Sequence, residues 1–356
     1  MKKVLILVND VTTILQFRTE LVRALVNEGH EVFVSVPKSE RICEIEDLGA
    51  KVKITEVSRH GKNPFKDLKL LKSYKQLIKE IKPNIVLTFT IKPNVYGGMA
   101  CKKLKVPYVA NVTGLGVVGD KSVLQKLMLW LYKQGLKKAQ CVFFQNKANQ
   151  EFFQSKKVVK GKTQLLPGSG VNIEKFAYVE YPDNEYPNVV FVGRIIKDKG
   201  VFELATVAKN LLSSKVKFTV VGEVEYGAVN PFIDIENVEC VGFHKDVKPY
   251  LKDANAIVLP SYHEGMANVL LEGASSGRVI LASNIPGCKE TFDEDVTGFG
   301  FEPKDVNSLQ VAIEKFLALS YEEKKAMGKA GRDKIEREFN RQIVVDKYIE
   351  QVNLAE

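Results

Sequence analysis

The sequence predicts an α/β protein built from two doubly wound parallel sheets that face a central cleft. Short apolar strands alternate with helical patterns, and this rhythm restarts in the second half of the chain. An aperiodic stretch rich in Gly, Pro, Asn and Tyr separates the halves. The 356 residues suffice for two domains of ordinary size. Because such sheets bind ligands beside the carboxyl ends of their strands, both are expected to border the cleft.

Six apolar segments predict the strands of the first domain. The first, KVLILV, looks briefly like a signal peptide, but Asn9-Asp10 ends the apolar run early, so a buried strand is predicted. A helical pattern then extends to about Glu28. The predicted strands cover residues 3–8, 30–36, 50–57, 84–89, 107–112 and 141–145.

Five more apolar segments predict the sheet of the second domain, and a short strand is expected after Asp295. They cover residues 188–193, 217–222, 238–243, 256–260 and 279–283. We predict domain limits as follows: an N-terminal domain over 1–167, a linker over 168–187, a C-terminal domain over 188–338, and a last helix over 339–356 that crosses back to the N-terminal domain.

The two halves of the chain differ in charge. Residues 1–170 hold 30 Lys and Arg against 13 Asp and Glu, a net charge of +17; the other 186 residues hold 22 against 30, a net charge of −8. A basic front half indicates an anionic partner, and because no nucleic-acid-binding module is recognisable, a membrane surface is favoured. No apolar run reaches the roughly 18 residues of a spanning helix. The five scattered cysteines indicate a reducing, cytoplasmic compartment.

Glu264 and Glu272 stand eight positions apart in SYHEGMANVLLEGASSG, after an apolar strand closed by Pro260. A helical pattern begins near Ala267 and stops at Gly277. Eight helical steps would set the carboxylates about 80° apart around the axis and about 12 Å apart along it. This does not fit a glycosidase pair. It suits either two solvated acids or a grip on both ends of a long ligand.

Arg194 and Lys199 bracket a predicted strand-to-helix turn that begins at Gly193. Cations beside a helix N-terminus form an anion site, and fixed cations can stabilise a departing diphosphate. The alternative is two ordinary surface cations. Asp293-Glu294-Asp295 is a DxD sequence that we interpret as a solvated turn, and the histidines lack paired ligand spacing. We therefore expect metal-independent phosphate binding and no cofactor.

A literal GxGxxG at residues 114–119 supports an alternative function, a NAD-dependent oxidoreductase. The ribose-binding acid expected about 20 residues later is missing between Asp120 and Glu151, and the motif lies far from the first strand. A glycine loop at the cleft is favoured. A non-catalytic nucleotide-sugar-binding protein is the other alternative.

Two amphipathic stretches, residues 63–83 and 121–138, carry many of the front-half lysines. The first sets Lys66, Lys69 and Lys72 among apolar residues, and the second contains the single tryptophan, Trp130. Basic faces with apolar and aromatic neighbours suit interfacial membrane binding, although packed helices with solvated lysines would show the same pattern. The side chains expected to insert are Trp130 and Leu129, or Phe65 and Leu71.

These motifs together resemble the retaining family 4 glycosyltransferases of the GT-B fold, which has two Rossmann-like domains. Glu264 and Glu272 match the EX7E motif, with PSYHEG before it; GR and KG at 193–200, PGSGVN at 167–172 and TGF at 297–299 add to the match. FRTELVRAL, SRHGKNPF, KPNVYGG and NVTGLG look like bacterial enzymes that build capsule, exopolysaccharide, O-antigen or glycan chains on undecaprenyl diphosphate.

The resemblance implies a role for each motif residue of the second half. Glu264 would face the hydroxyls of the donor sugar, and Glu272 would hold the ribose. Arg194 and Lys199 would hold the diphosphate next to Gly193. The remaining donor-binding positions would contribute backbone amides: Gly265, Met266, Ala267 and Asn268.

The front half departs from the family at two places. Asn9-Asp10-Val11 stands where many members have a glycine pair, and Thr113 stands where many have a histidine. The front-domain candidates for sugar contact are therefore Asn9, Asp10, Asn111, Thr113, Gly114 and Gly116. The candidate catalytic residues are Thr113 together with Glu264, Arg194 and Lys199 of the second half.

The expected activity is transfer of a sugar, an N-acetylhexosamine, from a UDP-sugar to an undecaprenyl-diphosphate-linked saccharide with retention. The resemblance implies three partners: the UDP-sugar, the lipid-linked acceptor and an anionic membrane surface. The expected location is peripheral, on the cytoplasmic face of the plasma membrane.

Overall fold

The computed structural model describes residues 1–57, 64–114 and 123–355. The chain divides into two compact units, each built on one parallel sheet. The first unit comprises Met1–Ser169 with Gln342–Glu356, and the second comprises Gly170–Arg341. Within the described ranges, no helix combines the length and apolar character needed to cross a bilayer.

The first sheet has seven strands in the order β3-β2-β1-β4-β5-β6-β7. The strands are β1 (Lys3–Leu7), β2 (Glu31–Val36), β3 (Lys51–Ile54), β4 (Ile85–Phe89), β5 (Tyr108–Val112), β6 (Cys141–Phe144) and β7 (Thr163–Leu165). The sequence did not predict β7, because three partly exposed residues carry too little apolar pattern.

The helices of the first unit cover both faces of this sheet. They are α1 (Val11–Phe17), α2 (Thr19–Asn27), α3 (Ile42–Glu46), α4 (Pro64–Ile81), α5 (Gly98–Leu104), α6 (Val123–Leu136) and α7 (Lys147–Ser155), with a π-helix at Pro93–Gly97. Alternation along β5 shows the two faces: Tyr108 and Ala110 pack on the side of α4, α5 and α6, whereas Val109 packs on the opposite side.

The second sheet has six strands in the order β10-β9-β8-β11-β12-β13. The strands are β8 (Asn188–Val192), β9 (Lys217–Val221), β10 (Val238–Gly242), β11 (Ala256–Leu259), β12 (Val279–Ser283) and β13 (Gly298–Phe301). The central strands β11 and β12 are buried along their whole length, as expected for a parallel sheet covered on both faces.

Five α-helices of the second unit flank this sheet. They are α8 (Val201–Asn210), α9 (Lys248–Asp253), α10 (Asn268–Ser275), α11 (Val306–Ala318) and α12 (Tyr321–Glu338), with short 3-10 turns at Lys197–Lys199, Leu212–Ser214 and Lys289–Thr291. Gly273 lets α10 lie against the sheet, because a Cβ there would be 2.4 Å from Ile257 of β11.

Most of the segment predicted as a linker belongs to the second unit. Val171, Phe176 and Tyr181 are buried in its core, and the Tyr181 hydroxyl donates to the carbonyl of Asn255 (2.7 Å). The segment packs as irregular chain, which leaves no periodic signal in the sequence.

The last helix, α13 (Arg341–Leu354), packs with the first unit after its initial residue. Its Tyr348 is buried among aromatic residues of the first sheet, 4.9 Å from the ring of Phe143 and 5.5 Å from that of Phe89. Val344, Val345 and Val352 join the same core.

Candidate active site

The predicted anion site begins where β8 ends. The Gly193 amide donates to the neighbouring strand (N–O 2.9 Å), and Arg194 follows. After the turn Lys197–Lys199, Gly200 directly precedes α8 and has a φ of +67°. A Cβ at Gly200 would lie 2.0 Å from the carbonyl oxygen of Pro260. Glycine is needed here, because the turn and the loop after β11 meet at the backbone.

Lys199 of the turn and Glu264 of that loop form an ion pair, with 21% and 14% of their side-chain surfaces exposed. Glu264 precedes α10, whose first residue is Asn268, so only Glu272 is on the helix. The expected helical spacing of the two carboxylates is therefore wrong. Pro260 and Gly265 explain the difference, because both disfavour helix in this stretch.

Tyr262 holds the loop from one side. Its amide donates to the carbonyl of Asp198 (2.9 Å), and its hydroxyl donates to Glu203 Oε1 in α8 (2.6 Å). Burial, together with the bond to Glu203, raises the pKa of Tyr262, so the hydroxyl remains a donor. The sequence analysis did not predict a role for Tyr262 or Glu203, although Tyr262 lies within the motif that carries Glu264.

Gly287 holds the loop from the other side. Its φ is +88°, and a Cβ there would be 2.7 Å from the carbonyl oxygen of Gly265. The Ala267 amide donates to the Gly287 carbonyl (2.8 Å). The expectation that this amide binds the sugar or phosphate is therefore wrong, because it already has an acceptor. Met266, also expected to contribute, is buried beside it.

Glu272 is a partly buried carboxylate on α10. Burial raises its pKa to about 7, against the opposing attraction of Arg341 and Lys175. In the part of the chain that the structure describes, the carboxylate makes no hydrogen bond or ion pair. One helical turn earlier, the buried Oδ1 of Asn268 also has no partner there. These unsatisfied groups can bind a ligand that offers hydroxyl or amide donors.

Arg194 is exposed and pairs with Glu225 (3.0 Å). The structure therefore brings Lys199 together with Glu264, while Arg194 has a different carboxylate as its partner. Because the Arg194 pair is more than half exposed, its contribution to folding is small, and the guanidinium can exchange Glu225 for a phosphate.

The DxD sequence is a structured turn. Asp293 pairs with Lys334 (2.9 Å), and Glu294 accepts from the amide of Gly300 (2.9 Å). Across residues 1–57, 64–114 and 123–355, no three potential metal ligands cluster. The acidic side chains of this turn thus serve the local fold.

Of the front-domain candidates, those that the structure describes lie at the carboxyl edge of the first sheet. Asn9 and Asp10 follow β1, and Asp10 caps α1 by accepting from the Thr12 amide (2.7 Å). Thr113 and Gly114 follow β5 and are partly exposed, whereas Gly116 and the rest of the GxGxxG sequence lie outside the described residues.

Asn111 does not have the expected accessible position. Its side chain is fully buried and donates to the hydroxyl of Tyr348 on α13. Its carbonyl accepts from the side chain of Asn94 (2.7 Å). These contacts contradict a direct sugar contact: the side chain faces the core because it anchors the last helix.

The predicted membrane residues are accessible. Lys66, Lys69 and Lys72 are exposed on α4, and Trp130 is 55% exposed on α6. Two apolar assignments are wrong, because Leu71 and Leu129 pack toward the core. The apolar side chains that remain exposed beside the lysines are Phe65 and Leu68 on α4, and Leu127 and Trp130 on α6.

Comparisons with known proteins show the family to which the chain belongs. Residues 172–334 match the family described as Glycosyl transferases group 1, and residues 3–146 match Glycosyl transferase 4-like. The chain is 30% identical to the N,N′-diacetylbacillosaminyl-diphospho-undecaprenol alpha-1,3-N-acetylgalactosaminyltransferase of Campylobacter jejuni, over 95% of this chain and 94% of that one. It is 28% identical to the UDP-Gal:alpha-D-GlcNAc-diphosphoundecaprenol alpha-1,3-galactosyltransferase of Escherichia coli, over 80% and 78%.

Solved structures share the fold. A glycosyltransferase from Rickettsia africae superposes with a TM-score of 0.83 at 18% identity, covering 99% of this chain and 97% of that one. An Anabaena protein in complex with UDP and glucose gives 0.81 at 15% identity, covering 99% and 100%. By its family matches and its 30% identity to the Campylobacter jejuni enzyme, the chain belongs to the family 4 glycosyltransferases, enzymes of the GT-B fold, and not to the oxidoreductases or the non-catalytic binding proteins.

Proposed function

We propose that this enzyme transfers an N-acetylhexosamine from a UDP-sugar to an undecaprenyl-diphosphate-linked saccharide, with retention. The observation that carries the donor assignment is the carboxylate of Glu272, which forms no hydrogen bond or ion pair with any residue that the structure describes. Glu264 lies on the loop that leads into α10, Glu272 lies on α10, and Lys199 is bound to Glu264, so a cation and two carboxylates belong to one local structure. A nucleoside diphosphate sugar offers the matching groups, namely ribose hydroxyls, a diphosphate and sugar hydroxyls.

Each side chain then has a chemical task. Glu272 accepts hydrogen bonds from the ribose, and Glu264 accepts from hydroxyls of the donor sugar. Lys199 orients Glu264 and, with Arg194, stabilises the charge on the diphosphate as it leaves. The bond from the anomeric carbon to the phosphate oxygen breaks, and the bond to the acceptor oxygen forms on the same face. The acceptor proton passes to the departing phosphate.

The acceptor class is supported by the two relatives, whose names specify diphospho-undecaprenol saccharides. The exposed apolar and basic surfaces of α4 and α6 fit an acceptor that stays in the membrane. We therefore place the enzyme peripherally on the cytoplasmic face, with the first unit toward the lipid. The five cysteines are free, as a reducing compartment requires.

A substrate screen tests this proposal. The purified enzyme is incubated with UDP-GalNAc, UDP-GlcNAc, UDP-galactose or UDP-glucose, and with diphospho-undecaprenol that carries GlcNAc or diacetylbacillosamine. Mass spectrometry should detect the addition of one N-acetylhexosamine, and NMR should show an α-linkage from an α-linked donor. Transfer of a different sugar would correct the donor alone, whereas the absence of any lipid-linked product would refute the acceptor class.

A further inference from the structure

The first sheet has its topological switch point between β1 and β4, where the order in which the strands are added reverses. From β1 the strands proceed outward through β2 to β3, and the chain then returns to place β4 on the other side of β1. In doubly wound sheets, this switch point is where ligands bind, outside the carboxyl ends of the strands. Thr90 is the residue that follows β4 at this point.

The backbone of Thr90 is strained. Its φ of +70° is in the left-handed region, which a β-branched side chain rarely adopts. Such strain persists only where the surroundings enforce it, and it is concentrated at binding sites. The π-helix Pro93–Gly97 follows within three residues, and this rare form is also frequent at functional sites.

Three hydrogen bonds enforce the conformation of this turn. The Asn94 amide donates to the Thr90 carbonyl (3.0 Å), and the Thr88 hydroxyl donates to Asn94 Oδ1 (2.7 Å). Asn94 Nδ2 donates to the carbonyl of Asn111 on β5 (2.7 Å). The turn is thus tied to two neighbouring strands through the buried side chain of Asn94.

The Thr90 hydroxyl is itself unsatisfied. Its oxygen is buried, and no described residue forms a hydrogen bond with it, although the side chain as a whole is partly exposed. Because the rest of the side chain is partly exposed, a rotation about χ1 would turn the hydroxyl toward a ligand hydroxyl that satisfies it. The next strands also end in polar groups: Thr113 follows β5, and Gln145 follows β6 with its buried Nε2 unpartnered in the described structure.

We propose that Thr90 binds the saccharide of the acceptor at the switch point of the first sheet. A hydroxyl that can donate or accept, at the same sheet edge as a second threonine and an amide donor, suits a ligand rich in hydroxyl and acetamido groups. This inference rests on the proposed function, since it takes the acceptor to be a lipid-linked saccharide. It adds a residue that neither the motifs nor the charge pattern indicated.

Three substitutions distinguish the effect of the Thr90 hydroxyl from the effect of the backbone strain. Thr90→Gly relieves the strain and removes the hydroxyl, Thr90→Val keeps the branched shape without the hydroxyl, and Thr90→Ser keeps the hydroxyl. Lys105→Gly is the matched control, because Lys105 is exposed, has a φ of +59° and ends α5. Both glycine variants should raise the Tm by about 2–4 °C.

Transfer should respond differently from stability. With UDP-sugar saturating and GlcNAc-diphospho-undecaprenol as the varied probe, Thr90→Gly and Thr90→Val should lower kcat/KM about tenfold. Thr90→Ser and Lys105→Gly should stay within about twofold of the wild type. UDP affinity and donor hydrolysis without acceptor should not change in any variant. A purely structural Thr90 would instead give a more stable, fully active glycine variant.

The wild-type enzyme distinguishes the two ways of failing. If it uses the probe, or diphospho-undecaprenol carrying diacetylbacillosamine, and Thr90→Gly and Thr90→Val use it equally well, only this inference is overturned. If the wild type neither binds nor glycosylates either probe, the proposed acceptor class is wrong, and the role of Thr90 in binding it is overturned as well.

Discussion

The ammonium group of Lys199 is bound to the carboxylate of Glu264, in a pair that is mostly withdrawn from solvent. Removing either partner leaves the other charge without compensation in a poorly solvated place. The contacts of Tyr262 and Gly200 hold the two chain segments together, so the pair is positioned before any donor binds. Lys199 and Glu264 should therefore act as one functional element.

A double-mutant cycle tests this coupling. Lys199→Ala and Glu264→Gln should each lower kcat by about 10²-fold, because each disturbs the preorganised charge around the leaving diphosphate and the sugar. The double variant should lose little more than the worse single variant. Steady-state kinetics on the four forms gives the coupling directly. Losses that multiply would show that the two residues act independently.

Arg194→Ala should also lower turnover by about 10²-fold, because one fixed cation for the diphosphate is lost. Its folding should be unaffected within about 1 kcal/mol, since the pair with Glu225 is exposed. Glu225→Gln is the matched control and should change turnover less than about twofold. A folded Arg194→Ala enzyme with near-normal transfer would remove Arg194 from the phosphate site.

Glu272 should make stability depend on pH. Burial raises its pKa from 4.5 to about 7, so the folded protein holds this proton more tightly than the unfolded chain does. The contribution of Glu272 to stability should therefore fall as pH rises from about 4.5 to about 7, and stay level above that. Glu272→Gln should stabilise the ligand-free enzyme at pH 8, on the order of 2–4 kcal/mol, and change it little at pH 4.5. Urea unfolding at the two pH values measures the difference.

The same substitution should weaken UDP binding at pH 8, because a carboxylate accepts hydrogen bonds from two ribose hydroxyls better than a neutral amide does. For the wild type, calorimetry should show affinity falling as pH drops below about 7, where Glu272 becomes protonated. UDP has its own protonation near pH 6, and the Glu272→Gln enzyme isolates that contribution. Parallel pH profiles for the two proteins would exclude Glu272 from the ribose site.

The sequence predicted the elements that have a regular apolar pattern or a residue that ends a helix. The buried strands β4, β11 and β12 were predictable from continuous apolar runs, and the end of α10 from Gly277. The family followed from the spacing of Glu264 and Glu272 together with the neighbouring motifs, although the helical geometry expected for the two carboxylates was wrong. A motif can thus identify a family without giving the conformation of its loop.

What the sequence could not show depends on contacts between distant residues. The burial of Asn111 against Tyr348 joins positions that are 237 residues apart. The engagement of the Ala267 amide depends on Gly287, and the strain at Thr90 depends on Asn94. None of these contacts produces a periodic pattern in the sequence, because each depends on how the loops pack on the folded sheet.

Gly200→Ala should destabilise the second unit strongly. The added methyl would meet the Pro260 carbonyl oxygen at 2.0 Å, and the left-handed φ of +67° adds strain. Together we expect a loss of about 2–4 kcal/mol. Gly29→Ala is the matched control: its φ is +79°, but nothing lies within 4 Å of the added carbon. It should cost only the backbone strain, about 1–2 kcal/mol. Equal losses in urea unfolding would contradict the close approach of the two segments.

Membrane binding provides the last prediction. The helices α4 and α6 pack on the same face of the first sheet, and each follows a strand, so each begins at the carboxyl edge. Their exposed surfaces combine lysines with Phe65, Leu68, Leu127 and Trp130. Lysines near an anionic surface contribute roughly 1 kcal/mol each, screened by salt, whereas apolar insertion resists salt. We therefore expect binding to anionic vesicles with one salt-sensitive and one salt-resistant component.

Two sets of variants separate these components in vesicle co-sedimentation. Replacing Lys66, Lys69 and Lys72 by Glu should weaken binding at low salt by on the order of 10²-fold or more, and should reduce transfer to the lipid-linked acceptor. Trp130→Ala and Phe65→Ala should lower the binding that persists at high salt.

Matched controls in the second unit should leave vesicle binding unchanged. They are Phe202→Ala and the replacement of three exposed lysines by Glu, namely Lys209, Lys215 and Lys245. UDP affinity should survive in all of the first-unit variants, because the residues proposed to bind the donor belong to the second unit. If the wild type does not bind anionic vesicles at low salt, the lysines of α4 are a solvated surface and the enzyme reaches its acceptor in another way.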